Sequence, residues 1–171
     1  MKRILQIIFI FLCIGCKTSS NTSDTNSSIA SLNTSRYSFK YPKNWEISQV
    51  HGYRKDNSVA IFGFKEEPSQ KAWCTLLLDI ESTENELMEV LDNLIQKNYR
   101  LKNATILDVK KTSDFVELNY RYMQNDESFR AISRYYKRDN SISVLNFGSK
   151  EENFEMFEAY KKLFFKTFVL K

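Results

Sequence analysis

The sequence predicts an α+β fold, a largely antiparallel sheet with helices packed on it, and three observations carry that expectation. From Tyr37 onward, apolar residues alternate with polar ones or run together over stretches of strand length. The period switches to the helical one twice, from about Glu84 to Tyr99 and again after Ser149. Between the two helices, Asn125-Asp126 separates two long alternating runs and has the residue types of a two-residue hairpin turn. Strands with a helix between them and an aromatic helix at the end belong to the α+β class of layered domains.

The elements follow in chain order. Tyr37, Phe39 and Tyr41 alternate with Ser38 and Lys40 in a half-buried strand that stops at Pro42, and Trp45 and Ile47 resume the alternation as a hairpin partner or a continuation. Val59 to Phe64 and Ala72 to Ile80 are apolar almost throughout, as central strands covered on both faces are, with the charged loop Lys65-Glu66-Glu67-Pro68 between them. Leu87, Met88, Leu91, Leu94 and Ile95 form one helical stripe, preceded by Thr83 and Glu86 in capping-box spacing. A short strand at Ile106 to Val109 precedes the hairpin, in which paired residue numbers sum to 251. That register puts Val116, Leu118, Tyr120 and Tyr122 on one side with Phe129, Ala131, Ser133 and Tyr135. Glu117, Asn119 and Arg121 share the other side with Arg130, Ile132 and Arg134. Glu117 then faces Arg134 favourably, whereas Arg121 faces Arg130, a like-charge pair that disfavours the register by some tenths of a kcal/mol unless an anion sits there. A strand from Ser141 to Phe147 follows, and the last helix carries Phe154, Phe157, Tyr160, Phe164 and Phe168 as its apolar stripe, with Ser149 and Glu152 as its capping box.

The residues before Tyr37 are of another kind. Met1-Lys2-Arg3, the apolar run Ile4 to Ile14 and Gly15-Cys16 have the layout of a secretory signal. The apolar run is far shorter than the roughly 20 residues a membrane-spanning helix needs. The Gly15-Cys16 junction resembles that of bacterial lipoprotein signals, with Cys13 where an aliphatic residue is usual. The resemblance implies cleavage after residue 15 and a diacylglyceryl thioether on Cys16, with palmitate-type chains holding the protein to the outer or cytoplasmic membrane and exposing it to the periplasm or exterior. Each buried methylene contributes about 0.8 kcal/mol, so two or three acyl chains anchor firmly. Ordinary secretion or an uncleaved anchor are the alternatives. Lys17 to Ser35 is rich in Ser, Thr and Asn and reads as a disordered tether that spans roughly 25 Å. The expected organisation is a signal peptide over 1–15, the lipidated Cys16 and tether over 16–35, and one globular domain over 36–171.

The formal charge of +4 falls to +2 once Lys2 and Arg3 leave with the signal, too weak a basic footprint for nucleic acid. With Cys13 removed and Cys16 acylated, Cys74 has no partner for a disulfide, and in an apolar strand it reads as an inert thiol. His51 is the single histidine and lies beside Gly52 in a loop. No glycine-rich phosphate loop and no metal-spaced Cys/His cluster is present, so neither a cofactor nor a metal is expected. The paired acids Glu66-Glu67, Asp126-Glu127 and Glu151-Glu152 read as solvated turns and helix starts.

The segment Tyr37-Ser38-Phe39-Lys40-Tyr41-Pro42-Lys43-Asn44-Trp45 resembles the opening of PsbP-like domains, the Mog and PsbP group, and Phe165-Lys166-Thr167-Phe168 resembles their helix-to-strand close. The resemblance implies an αβα sandwich from about Arg36 to Lys171. Members of that group act as photosystem assembly factors, partner-binding modules or secretion-associated adaptors, and bring no catalytic motif to this chain. The basic hairpin face, Arg121, Arg130, Arg134, Lys137 and Arg138 with Tyr136 and Met123 interleaved, reads either as a solvated sheet face or, with Arg121, Arg130, Arg134, Tyr136 and Arg138 as candidate residues, as a site for an acidic protein partner or another anionic surface. The expected function is therefore that of a membrane-anchored, non-catalytic binding or adaptor lipoprotein. A toxin-neutralising immunity protein or an envelope hydrolase using His51 is the alternative.

Overall fold

The computed structural model describes residues 28–48, 58–64, 71–98, 101 and 103–171. The signal segment, Cys16, His51 and the 65–68 loop lie outside the described residues. Among the described residues, strands and α-helices run in the order β1 (Ile29–Asn33), β2 (Tyr37–Pro42), β3 (Glu46–Ser48), β4 (Ser58–Phe64), β5 (Lys71–Ser82), α1 (Leu87–Lys97), β6 (Thr105–Lys111), β7 (Val116–Gln124), β8 (Glu127–Arg138), β9 (Ser141–Lys150), α2 (Glu158–Thr167) and β10 (Val169–Leu170). Antiparallel pairing joins seven of them in the order β3-β4-β5-β9-β8-β7-β6, while β1, β2 and β10 form a separate sheet with β2 in the middle.

The folded body begins before Arg36, inside the expected tether, because Ile29–Asn33 is a strand. Its ladder with β2 pairs Ile29 with Pro42 and Leu32 with Phe39, so the backbone polar groups on the β2 side of this Ser- and Asn-containing stretch are satisfied by a neighbouring strand. The intervening turn is fixed by Thr34, whose hydroxyl oxygen accepts the N–H groups of Arg36 at 3.2 Å and Tyr37 at 3.1 Å. Residues 16–27 lie outside the described residues. Trp45 and Ile47 are not a hairpin partner or continuation of β2: Trp45 ends the turn after Pro42, and β3, which holds Ile47, pairs with β4, so the chain crosses from the small sheet to the large one at Pro42–Trp45.

The middle strands of the large sheet are covered on both faces, which makes the domain an αβα sandwich. On one face Tyr37, Phe39 and Trp45 meet Cys74, Leu76 and Phe147 from the sheet and Phe154, Phe157, Phe164 and Phe168 from the C-terminal segment. On the other, Leu87, Leu91 and Leu94 of α1 and Leu101 pack on Val116, Leu118, Tyr120, Ala131 and Val144. In β9 the side chains meet one core or the other almost throughout. In β5 full burial alternates with half-burial, so this strand is less completely covered than its apolar run implies.

Neither capping box forms. α1 starts at Leu87 with Glu86 as its N-cap and no side-chain cap, while the Thr83 hydroxyl accepts the N–H of Asn85 at 3.1 Å in a turn upstream. Ser149 is still in the β9 ladder, and its hydroxyl donates to the Lys150 carbonyl at 2.9 Å. The C-terminal segment begins instead with two 3₁₀ turns, Glu151–Asn153 and Glu155–Phe157. Three residues per turn place Phe154 and Phe157 one above the other, and both are buried against the sheet.

The hairpin has the expected register without a slip, from Val116 opposite Tyr135 to Gln124 opposite Glu127. Asn125 and Asp126 both have positive φ, 52° and 62°, as a type I′ turn requires. Close by, Gly148 of β9 lies opposite Trp73 in the sheet, and a Cβ on it would stand 2.5 Å from Trp73 Cζ2. Gly148→Ala is therefore expected to destabilise the domain by about 1–3 kcal/mol, as overpacking does. Part of the loss should return in Gly148→Ala/Trp73→Leu; urea midpoints that move by the same amount with and without the Trp73 substitution would refute the contact.

Candidate partner-binding face

β7 and β8 position the candidate residues through strand alternation. Arg130, Arg134, Tyr136 and Arg138 lie on one side of β8, and Arg121 lies on the same side of β7 directly opposite Arg130. Lys137 falls on the other side, where its ammonium donates to the carbonyls of Glu84 at 3.0 Å and Asn85 at 2.7 Å and ties down the approach to α1. It does not belong to the basic face.

The like-charge pair of Arg121 and Arg130 is matched within the chain. Arg121 donates to Glu151 Oε1 at 2.5 Å, and Ser128 donates to the other oxygen of that carboxylate at 2.8 Å. Arg130 donates to Glu155 at 3.1 Å and to Asn119 Oδ1 at 3.2 Å, with its guanidinium 4.6 Å above the Phe154 ring. The 3₁₀ turns after β9 thus bring two carboxylates onto the like-charge pair. Burial pushes the Glu151 carboxyl up, but hydrogen bonds from Arg121 and Ser128 and the nearby arginine charges outweigh it and hold the group below its ordinary value.

Arg134 is the most enclosed of the three. It pairs with Glu117, donates to the Phe165 carbonyl at 3.2 Å, and lies between the rings of Phe115 at 4.4 Å and Phe165 at 4.3 Å. Tyr136 is half-buried against Phe115 and Phe168, with ring centroids 5.8 and 5.0 Å away. Burial raises its hydroxyl pKa, partly offset by Arg134. Arg138 is exposed at the end of β8, about 26 Å along the strand from Arg130.

The candidates therefore separate into two groups. Arg134, Tyr136 and Arg138 line a groove of about 610 Å³ with Phe115, Phe168 and Lys171, while Arg121 and Arg130 are held under Glu151 and Glu155 at the far end. Around Arg138 a smaller pocket of about 280 Å³ is lined by Arg36, Asp79, Asp139, Ser141 and Lys171. Asp79 is the residue that sequence reasoning missed. It interrupts the apolar β5 run, has φ 51° and sits where the β5–β9 register shifts, a strained bulge position of a kind concentrated at functional sites. Its carboxylate accepts from Arg36 at 2.6 Å and from Ser141, and an aspartate within an apolar strand was the signal available.

Cys74 is buried on the α2 side, and burial drives its thiol pKa well above the ordinary value. Such a thiol is a poor nucleophile. Among the described residues, no group of three or more His, Cys, Asp or Glu side chains is placed to hold a metal ion.

No family model matches the sequence, and no curated protein matches it. Solved structures do. Cyanobacterial PsbP (CyanoP) from Synechocystis superposes with a TM-score of 0.58 at 13% identity, over 84% of this chain and 93% of that one. PA94, a protein of unknown function from Pseudomonas aeruginosa, gives 0.55 at 8% identity, over 78% and 91%. LpqN, involved in cell envelope biogenesis of Mycobacterium tuberculosis, gives 0.53 at 10% identity, over 84% and 91%. At these identities the likeness is one of fold, and the chain has a PsbP-like fold.

Proposed function

We propose that this chain is a lipid-anchored, non-catalytic binding or adaptor protein of the bacterial cell envelope. Acyl chains on Cys16 hold it to the outer or cytoplasmic membrane, and the domain is presented to the periplasm or exterior. The arrangement from Met1 to Cys16 carries the proposal: two cations, an apolar run too short to span a bilayer, and a small residue directly before a cysteine. Two further observations support it. LpqN, with the same fold, is named for a part in envelope biogenesis. The thiol of Cys74 is shut away in the core.

The partner is a protein, docked at the Arg138 end of the hairpin face. There the groove joins apolar Phe115 and Phe168 to the exposed cations Arg138 and Lys171, a combination suited to an acidic surface with an apolar anchor. Arg121 and Arg130 support the fold of that face by their pairs with Glu151 and Glu155.

Expression of the full chain in bacteria fed labelled palmitate tests the anchor. The wild type should incorporate label and sediment with membranes, and Cys16→Ser should lose the label and a large part of the sedimentation. Label persisting in Cys16→Ser would overturn the assignment.

A further inference from the structure

The large sheet ends on one side at β6, and every residue of this strand is exposed. Among the described residues its outer backbone edge has no neighbouring strand. A row of unpaired N–H and C=O groups is a template for another strand, and proteins that must stay apart usually blunt it. Here the edge also carries apolar side chains, with Ile106, Leu107 and Val109 37%, 41% and 45% exposed.

The charges on this edge indicate what pairs with it. Asp108 and Lys110 both point to the α2 side of the sheet, since they lie opposite Asn119 and Glu117 of β7. Neither makes an ion pair within the chain among the described residues. Val109, between them, points to the α1 side, opposite Leu118. We propose that β6 pairs antiparallel with β6 of a second copy of this chain about a two-fold axis at Val109, so that the two seven-stranded sheets become one continuous sheet.

In that register Val109 meets its own copy, and Asp108 of each chain lies directly opposite Lys110 of the other. Two ion pairs form on one side of the sheet and an apolar contact on the other. A two-fold axis perpendicular to the sheet keeps each face of one copy on the same side as its counterpart, so this matching is geometrically consistent. A slip that centres the axis on Asp108 instead places the two aspartates opposite each other, which is unfavourable. The lysine that guards the edge against an arbitrary strand is thus neutralised by a second copy in one register only, which makes the edge selective. The register shift with β7 lies between Ile106 and Asp108, so the stretch from Asp108 to Lys111 is regular and free to pair. The pairing does not depend on the lipid anchor, although confinement to a membrane surface would raise the effective concentration.

Full-length Val109→Cys, expressed in cells and oxidised with copper-phenanthroline in air, tests the proposal. Directly opposed Cα atoms of an antiparallel pair stand about 4.5–5.5 Å apart, within the range a disulfide bridges. A reducible species of twice the chain mass should appear, and should be absent from the wild type and from Thr105→Cys, whose two copies would lie about 26 Å apart. In the Val109→Cys background, Asp108→Lys should lower the doubled species at least several-fold, and adding Lys110→Asp should restore it by swapping the charges. The proposal is overturned if no doubled species forms, if Val109→Cys links to a different protein, if Asp108→Cys links to itself in preference, or if the doubled species ignores the charge changes.

Discussion

Phe164→Ala is expected to destabilise the domain by about 3–5 kcal/mol, the usual cost of removing a fully buried aromatic side chain. Phe164 has no exposed surface, and its ring contacts come from three parts of the chain. Phe39 of β2 lies 5.9 Å away, Trp45 at the sheet-to-sheet crossing 5.3 Å, and Phe147 of β9 6.1 Å. One ring therefore connects the small sheet, the crossing and the central strand to α2, and truncation leaves a cavity that those three elements cannot close together. Since a domain's whole stability is about 5–15 kcal/mol, the loss is a large fraction of it. Met156→Ala, at a residue 46% exposed in the 3₁₀ turn ahead of α2, should change stability by less than about 0.5 kcal/mol. Urea unfolding followed by tryptophan emission reads both. A Phe164→Ala loss below about 1 kcal/mol would mean that α2 is not seated on this core.

The sequence announces those features of the fold that local chemistry decides. In the hairpin, two turn residues that tolerate positive φ, strict alternation and the Glu117–Arg134 match all select one register, and they act within 20 residues of chain. The aromatic stripe after Ser149 is legible for the same reason, although half of it is wound as 3₁₀ turns. What stayed hidden depends on partners distant in sequence. The residues of β1 have a tether's composition, and only the ladder to β2 and the turn at Thr34 make them a strand. β3 continues the alternation of β2 but belongs to another sheet, a choice made by where β4 lies. Both capping-box patterns were satisfied in other ways, because a Ser or Thr hydroxyl serves a turn or a strand end equally well. At the candidate site, the facing of the arginines was readable from their spacing. Their carboxylates were not, since Glu151 and Glu155 lie 30 and 25 residues from the arginines they meet.

Arg134→Ala is expected to cost about 3–5 kcal/mol, the magnitude for breaking an enclosed ion pair by removing one partner. Its side chain is 20% exposed and that of Glu117 is 17% exposed, so truncation leaves a carboxylate with little water to replace the guanidinium. It also leaves the facing rings of Phe115 and Phe165 with nothing between them. Arg134→Lys should recover only part of the loss, because an ammonium keeps the charge but cannot stack between two rings while donating to both Glu117 and the Phe165 carbonyl. Glu117→Gln combined with Arg134→Ala should be less destabilised than the sum of the single variants, since no uncompensated charge then remains. Arg138→Ala, at an exposed end of β8, should leave stability within about 0.5 kcal/mol. The contrast separates the two roles on this face. A partner-capture experiment on Arg134 would report on unfolding, whereas one on Arg138 would report on recognition. If Arg134→Ala unfolds at the wild-type urea midpoint, the ion pair contributes nothing to the fold, and its guanidinium is free to meet an outside carboxylate.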